Sequence, residues 1–233
     1  MAGGARHAQG ARRAAGHPLR THRRGFRMST LLVIAKAPVA GRVKTRLTPH
    51  FTPEQAADLA RAALRDTLAA VLATPARRRV LVLDGAPGPW LPPGIEVVPQ
   101  CAGDLDARLA AAFAGADGPT LLVGMDTPQV TPELLARGLD FSEADAWFGP
   151  ADDGGFWALG LAEPDPALLL GVPMSLPTTG ELQRGRLTAS GRAVRDLPEL
   201  CDVDTPADAA RVAAAVPGTR FAALHSGLRA VTR

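Results

Sequence analysis

The stretch "LLVIAKAPVAGRVKTRLTP", Leu31 to Pro49, sets the reading of the fold. Its first five residues are a continuous apolar run, the pattern of a strand buried on both faces. The chain then enters a loop holding Lys36, Arg42, Lys44 and Arg46 and no acid. Beyond the loop, Thr52-Pro53-Glu54-Gln55 carries the marks of a helix start. Thr52 is placed to cap, proline takes the first helical position, and glutamine stands third after the cap. Leu64, Leu68, Val71 and Leu72 then keep helical spacing along one face. Strand, loop and amphipathic helix form the first unit of an α/β fold.

Working outward, the unit recurs. Apolar runs at 79–84, 95–99, 120–126, 144–150 and 156–161 read as strands. Helix patterns fall at 104–113, after Thr131-Pro132-Glu133, at 179–190 and after Thr205-Pro206. This alternation predicts a mainly parallel, doubly wound central sheet with helices on both faces. No linker-like stretch interrupts it, so residues 29–220 are expected to form one domain. Residues 1–28 are expected to be a disordered basic extension, or the product of an upstream start before Met28. Residues 221–233 are expected to be a C-terminal tail. In doubly wound sheets ligands bind beyond the carboxyl ends of the strands. The loops after 35, 84, 126 and 150 are therefore where chemistry is sought.

Composition narrows the classes. Apolar residues make up 46% of the 233, which fits a globular chain with a real core. The net charge of +3 belongs to the extension: residues 1–28 carry seven arginines and no acid, leaving 19 cations against 23 acids elsewhere. The folded body is thus mildly acidic and does not read as a specific nucleic-acid binder. Cys101 and Cys201 show no metal-type spacing, and two thiols in so long a chain suggest a reduced, cytoplasmic protein. No apolar run reaches the ~18 residues of a membrane span. The histidines are scattered, and no Ser-His-Asp or Cys-His arrangement is visible.

The opening loop concentrates cations in an arginine-biased chain. Its two lysines, Lys36 and Lys44, are the only lysines of the sequence. Lysine suits phosphate as a compact charge, arginine as a planar fork. Gly41 permits a tight turn. The loop reads as a phosphate-binding turn or as a solvated basic loop. It matches neither a Walker A motif nor G-x-G-x-x-G.

Three acidic segments follow. Asp126 ends the most apolar strand, "LLVGMD", where a carboxylate can hold Mg²⁺ or Mn²⁺ against a diphosphate; Asp-x-Pro is turn chemistry as well. "ADDGGF" places Asp152 and Asp153 to orient or deprotonate an acceptor hydroxyl. Gly154 and Gly155 would let backbone approach a ligand, although Asp-Gly is also a hairpin signal. "CDVDTP" puts Asp202 and Asp204 on one face of an extended chain, near a metal or merely near a helix N-terminus. Thr178, Thr179 and Gly180 precede a helix, either capping it or touching an acceptor.

Five segments together resemble a known family: "AKAPVAGRVKTRL", "GDLDARLAAAF", "LLVGMDTPQVTPELL", "GPADDGGFWALGL" and "LPELCDVDTPADAA". In this order and spacing they are similar to the bacterial radical-SAM/selenodomain-associated transferase 1 proteins, glycosyltransferase-like proteins, over roughly residues 30–215. The resemblance implies the Rossmann-like GT-A fold of the nucleotide-diphospho-sugar transferase clan, which also holds guanylyl- and cytidylyltransferases. It implies that the loop with Lys36, Arg42, Lys44 and Arg46, which Gly41 would turn, is the phosphate-binding loop. It likewise implies that Asp126 and Asp204 hold Mg²⁺ or Mn²⁺. From the chemistry of the residues themselves, apart from the resemblance, Asp152 or Asp153 would act on the acceptor, with Gly154, Gly155 and Thr179 binding it. The sequence departs from the glycosyltransferase pattern in having "MDTP" where Asp-x-Asp is usual, and in so cationic a loop. The expectation is a metal-dependent transferase using a nucleotide sugar and a small-molecule acceptor. The alternatives are a nucleotidylyltransferase using a nucleoside triphosphate and a non-catalytic nucleotide-binding module.

Overall fold

The computed structural model describes residues 29–231. The extension expected at 1–28 lies outside them. The strands are β1 (Thr30–Lys36), β2 (Arg78–Asp84), β3 (Glu96–Pro99), β4 (Thr120–Val123), β5 (Ala146–Pro150), β6 (Phe156–Leu161) and β7 (Val194–Asp196). The helices are α1 (Pro53–Ala73), α2 (Leu105–Ala114), α3 (Pro132–Gly138), α4 (Thr179–Ala189), α5 (Pro206–Ala215) and α6 (Arg220–Val231). The strands form one sheet in the order β3-β2-β1-β4-β6-β5-β7.

β1 is central because its side chains are apolar on both faces. Leu31, Val33 and Ala35 pack with Leu64 and Leu68 of α1, while Leu32 packs with Leu109 and Phe113 of α2 on the other face. Alternation along one strand thus covers the sheet with helices on both sides. β1 pairs in parallel with β2 on one side and β4 on the other. The chain therefore winds outward in both directions from the β1–β4 boundary, the switch point where such sheets open a crevice.

The sheet is mainly parallel, with β6 as the exception. β6 runs antiparallel to both β4 and β5, because the turn at 151–155 folds it back on β5 as a hairpin. Strand–helix alternation assigns no direction to this pair, whereas its Asp-Gly turn carries a hairpin signal. The capping boxes at Thr52–Gln55 and Thr205–Asp208 are both formed, and each starts a helix at its proline.

The expected tail at 221–233 is corrected by α6, which begins at Arg220 and packs against α1. Phe221, Ala222 and His225 are buried, Phe221 among Phe51, Leu59 and Val212. Asp66 of α1 holds the start of α6: it accepts from the backbone N–H groups of Arg220 and Phe221 and from the Arg220 guanidinium, at 2.9–3.2 Å. Asp66→Ala should remove this cap and cost about 1–2 kcal/mol, measurable as a lower urea midpoint. An unchanged midpoint would mean that α6 is held by its apolar face alone.

Candidate active site

The cleft opens at the carboxyl ends of β1, β4 and β3 and has a volume of about 680 Å³. That is within the range of small-molecule sites. Its charged lining includes Lys36, Arg42, Lys44, Arg46, Asp126 and Asp204. Its apolar lining comes from Leu105 and Leu109 of α2, Phe156 of β6, and Met174 and Leu176 from the loop before α4.

The basic loop is anchored by its apolar residues. Val43 and Leu47 are buried, and Thr45–Leu47 forms a 3₁₀ turn. Gly41 turns the loop at φ 74° without itself lining the cleft. Between the two anchors, Lys44 adopts the left-handed conformation, φ 50° and ψ 39°, and its side chain points inward with 7% exposure. Lys36 and Arg42 line the cleft as exposed side chains, and Arg46 is 74% exposed.

Asp126 and Asp204 meet across this loop. Lys44 Nζ lies 2.9 Å from Asp126 Oδ2 and 2.8 Å from Asp204 Oδ1. The two oxygens can be no farther apart than the sum of those distances. Arg46 donates to the other oxygen of Asp204 at 3.1 Å. Backbone pairing makes the approach possible: Val203 N–H donates to the Asp126 carbonyl at 3.0 Å, and Val203 is buried. With Val203 turned inward, Asp202 and Asp204 both face the cleft.

Electrostatics follow from this crowding. Burial opposes the charge on Lys44, but Asp126 and Asp204 outweigh it and raise its pKa above the ordinary lysine value. Asp202 is pushed up to about 7, first by burial and then by the neighbouring charges of Asp126 and Asp153. Asp126 Oδ1 is buried with no hydrogen-bond partner. Such an oxygen is costly unless something satisfies it.

This donor set fits a divalent ion. Asp126 and Asp204 are hard oxygen ligands that already share one cationic partner, Lys44 Nζ, and the orphaned Oδ1 offers a further acceptor. Among the described residues no three His, Cys, Asp or Glu side chains form a complete cage. Mg²⁺ needs none, since it takes one or two carboxylates and fills its shell with phosphate oxygens and water.

The remaining expected site residues divide. Asp153 lines the cleft, its Oδ1 accepting from Gly155 N–H at 2.8 Å. Asp152 turns away and pairs with Arg211 of α5 at 2.7 Å, so the two neighbouring acids do not share a site. Gly155 lines the cleft, but Gly154 serves backbone packing: at φ 87°, a Cβ there would lie 2.0 Å from the Pro177 carbonyl oxygen. Thr179 borders the cleft with its hydroxyl engaged internally, donating to the Pro173 carbonyl and accepting from Leu176 N–H. It ties the 173–179 loop together, while Thr178 at the cap position makes no side-chain cap bond.

Gln100 and Arg108 also line the cleft and were not expected there. Gln100 Nε2 donates to the carbonyls of Ala35 and Val82, which fixes the amide at the ends of β1 and β2. It directly follows β3, so searching the loop after that strand as well would have found it.

With this geometry in place, comparison with known proteins identifies the family. A family model described as "uncharacterized protein conserved in bacteria (DUF2064)" matches residues 57–176, just over half of the chain. The chain belongs to the DUF2064 family. The matched region includes Asp126, Asp153 and α2 but neither Lys44 nor Asp204. No protein of curated function matches the chain. Among solved structures, it is similar to a protein of Desulfovibrio desulfuricans G20 provisionally named as a nucleotide-diphospho-sugar transferase. The two are 26% identical with a TM-score of 0.77, over 87% of this chain and 94% of that one. A second is a homologue, from Mycobacterium sp. strain JC1, of a Mycobacterium tuberculosis protein: 21% identity, TM-score 0.56, 81% and 96% of the two chains. A third is CMP:2-keto-3-deoxy-manno-octonic acid synthetase complexed with CTP, at 13% identity and TM-score 0.52, covering 81% and 98%. The last two likenesses are of fold. The DUF2064 chain is a single α/β domain of the GT-A-like type.

Proposed function

We propose that this protein is a metal-dependent transferase acting on a nucleotide-activated donor, and within that class a glycosyltransferase using a nucleotide sugar. The observation that carries the reading is the convergence of Asp126 and Asp204 on one cation at the β1–β4 switch point. Asp126 and Asp204 would hold Mg²⁺ or Mn²⁺, which when bound offsets charge on the departing diphosphate. Lys36, Arg42 and Arg46 line the same cleft and would bind donor phosphates. Asp153, held by the Gly155 N–H, faces the cleft where an acceptor hydroxyl would be oriented or deprotonated. Asp152 is spent on Arg211 and takes no part.

The sugar donor is supported by the Desulfovibrio protein and by the resemblance to the transferase 1 proteins. Nucleotidylyl transfer is the second reading. It is favoured by the single Asp126 paired with a distant Asp204, where glycosyltransferases of this fold usually carry Asp-x-Asp. A nucleotide donor and two free thiols point to the cytoplasm. Among the described residues no helix is long and apolar enough to cross a membrane.

The test begins with a thermal-shift panel of nucleotides and nucleotide sugars in Mg²⁺ or Mn²⁺. One ligand should stabilise the protein, by about 2.7 kcal/mol at ~100 times its dissociation constant. The shift should vanish in chelator. That ligand is then incubated with candidate acceptors. Release of nucleoside diphosphate establishes glycosyl transfer, and pyrophosphate establishes nucleotidylyl transfer. No metal-dependent shift with any nucleotide leaves a non-catalytic module.

A further inference from the structure

Lys44 stands where a divalent cation would stand. Its Nζ touches one oxygen of Asp126 and one of Asp204, at 2.9 and 2.8 Å. A magnesium ion shared by those oxygens would sit about 2.1 Å from each. The ammonium and the ion therefore compete for one position, and they repel each other as well. We propose that Lys44 is the resident counter-ion of this carboxylate pair, and that the entering divalent cation displaces it onto the donor's phosphates. Metal and donor then bind cooperatively. The inference rests on the metal-dependent reading of the cleft and goes beyond it.

The geometry allows the exchange without moving the loop. Val43 and Leu47 anchor the backbone on either side of Lys44, while its four-carbon stem carries the rotatable bonds along which the ammonium would swing. Lys44 belongs to the same loop as Arg42 and Arg46, and Lys36 lines the same cleft, so a withdrawn ammonium would join the cations expected at the donor. Arg46 already holds Asp204 Oδ2, and this contact can persist because the competition is for Oδ1.

Energetics set the sign of the coupling. If metal enters alone, Lys44 loses both partners while its side chain is 7% exposed. Leaving so buried a charge unpaired is strongly unfavourable. If phosphate arrives with the metal, the ammonium exchanges two carboxylate contacts for charge-assisted bonds to phosphate oxygens. Phosphate should therefore strengthen metal binding, and metal should strengthen phosphate binding by the same factor. A plain structural ion pair would leave Lys44 in place in every state.

The chain's two lysines make the exchange visible. Lysine labelled with ¹³C at Cε should give two side-chain resonances in the full chain, assigned with Lys36→Arg. Adding Mg²⁺ with inorganic pyrophosphate should move the Lys44 resonance, and removing Mg²⁺ with chelator should return it. In parallel, Mn²⁺ binding is read from the signal of the free ion by electron paramagnetic resonance. Lys44→Met should bind Mn²⁺ about tenfold more tightly than the parent when no phosphate is present. Inorganic phosphate should tighten Mn²⁺ binding to the parent more than to Lys44→Met, where only direct coordination and the other loop cations remain. A Lys44 resonance that stays still while Mg²⁺ and pyrophosphate bind overturns the exchange, as does equal phosphate enhancement in parent and variant. If neither chain binds Mn²⁺, the metal-dependent function itself fails, which is a separate result. The resonance measurement needs no substitution at Lys44, so it decides the matter even if Lys44→Met folds poorly.

Discussion

Asp126→Asn is expected to abolish the metal-dependent stabilisation by nucleotide and to lower turnover by about a thousandfold. The substitution preserves shape and removes one of the two carboxylates that meet at the cleft. It should leave the fold intact, because Lys44 keeps Asp204 at 2.8 Å and the crowding of negative charge around Asp202 is relieved. Melting of the metal-free variant should therefore stay near that of the parent. The informative comparison is the ligand-induced shift with and without chelator, which should become identical in the variant. Turnover within tenfold of the parent would remove Asp126 from the metal and return it to its other reading, a turn residue before Pro128.

Gly154→Ala is expected to destabilise the protein by about 2–4 kcal/mol. Two effects add. The backbone at φ 87° disfavours any side chain, and the new methyl would lie 2.0 Å from the Pro177 carbonyl oxygen. Backbone cannot yield as a flexible side chain does, so the 151–155 turn and the loop before α4 must separate. That movement would break the 2.8 Å bond from Gly180 N–H to the Gly154 carbonyl and shift Asp153, so activity should fall with stability. Gly185 is the control: it lies within α4 with open space around its added Cβ. There alanine should be neutral or stabilise by up to about 1 kcal/mol. Urea denaturation of both variants checks the contrast, and equal midpoints would mean that the 151–155 turn adjusts freely.

The relation between sequence and site is clearest in these same residues. The periodicity of Leu31–Ala35, the Thr52 and Thr205 capping boxes and the strand–helix alternation announce the α/β fold. These signals are local, with periods of two and 3.6 residues that short windows display. The carboxyl-end rule then points to Lys44 and Asp126 from the sequence alone. Asp202 and Asp204 do both line the cleft on either side of buried Val203, but by a tight turn in place of the extended chain expected, with Asp204 N–H donating to the Asp202 carbonyl at 3.1 Å.

Tertiary structure decided what those charges do. Lys44 and Asp204 stand 160 positions apart, and no local pattern reports that they touch. The same holds for Asp152 and Arg211, whose pairing divides two adjacent acids between the cleft and α5. Gly154 looked like room for a ligand and is room for the Pro177 backbone, because a glycine signals a missing side chain without naming what fills the space. β6 runs against its neighbours and α6 replaces an expected tail for a related reason. Strand direction and helix docking depend on which distant surface each segment covers, and α6 is ordered by Asp66 and the Phe221 pocket more than by its own sequence. Local propensity selects the elements of this chain, whereas burial and charge pairing between distant segments select the partners of each side chain.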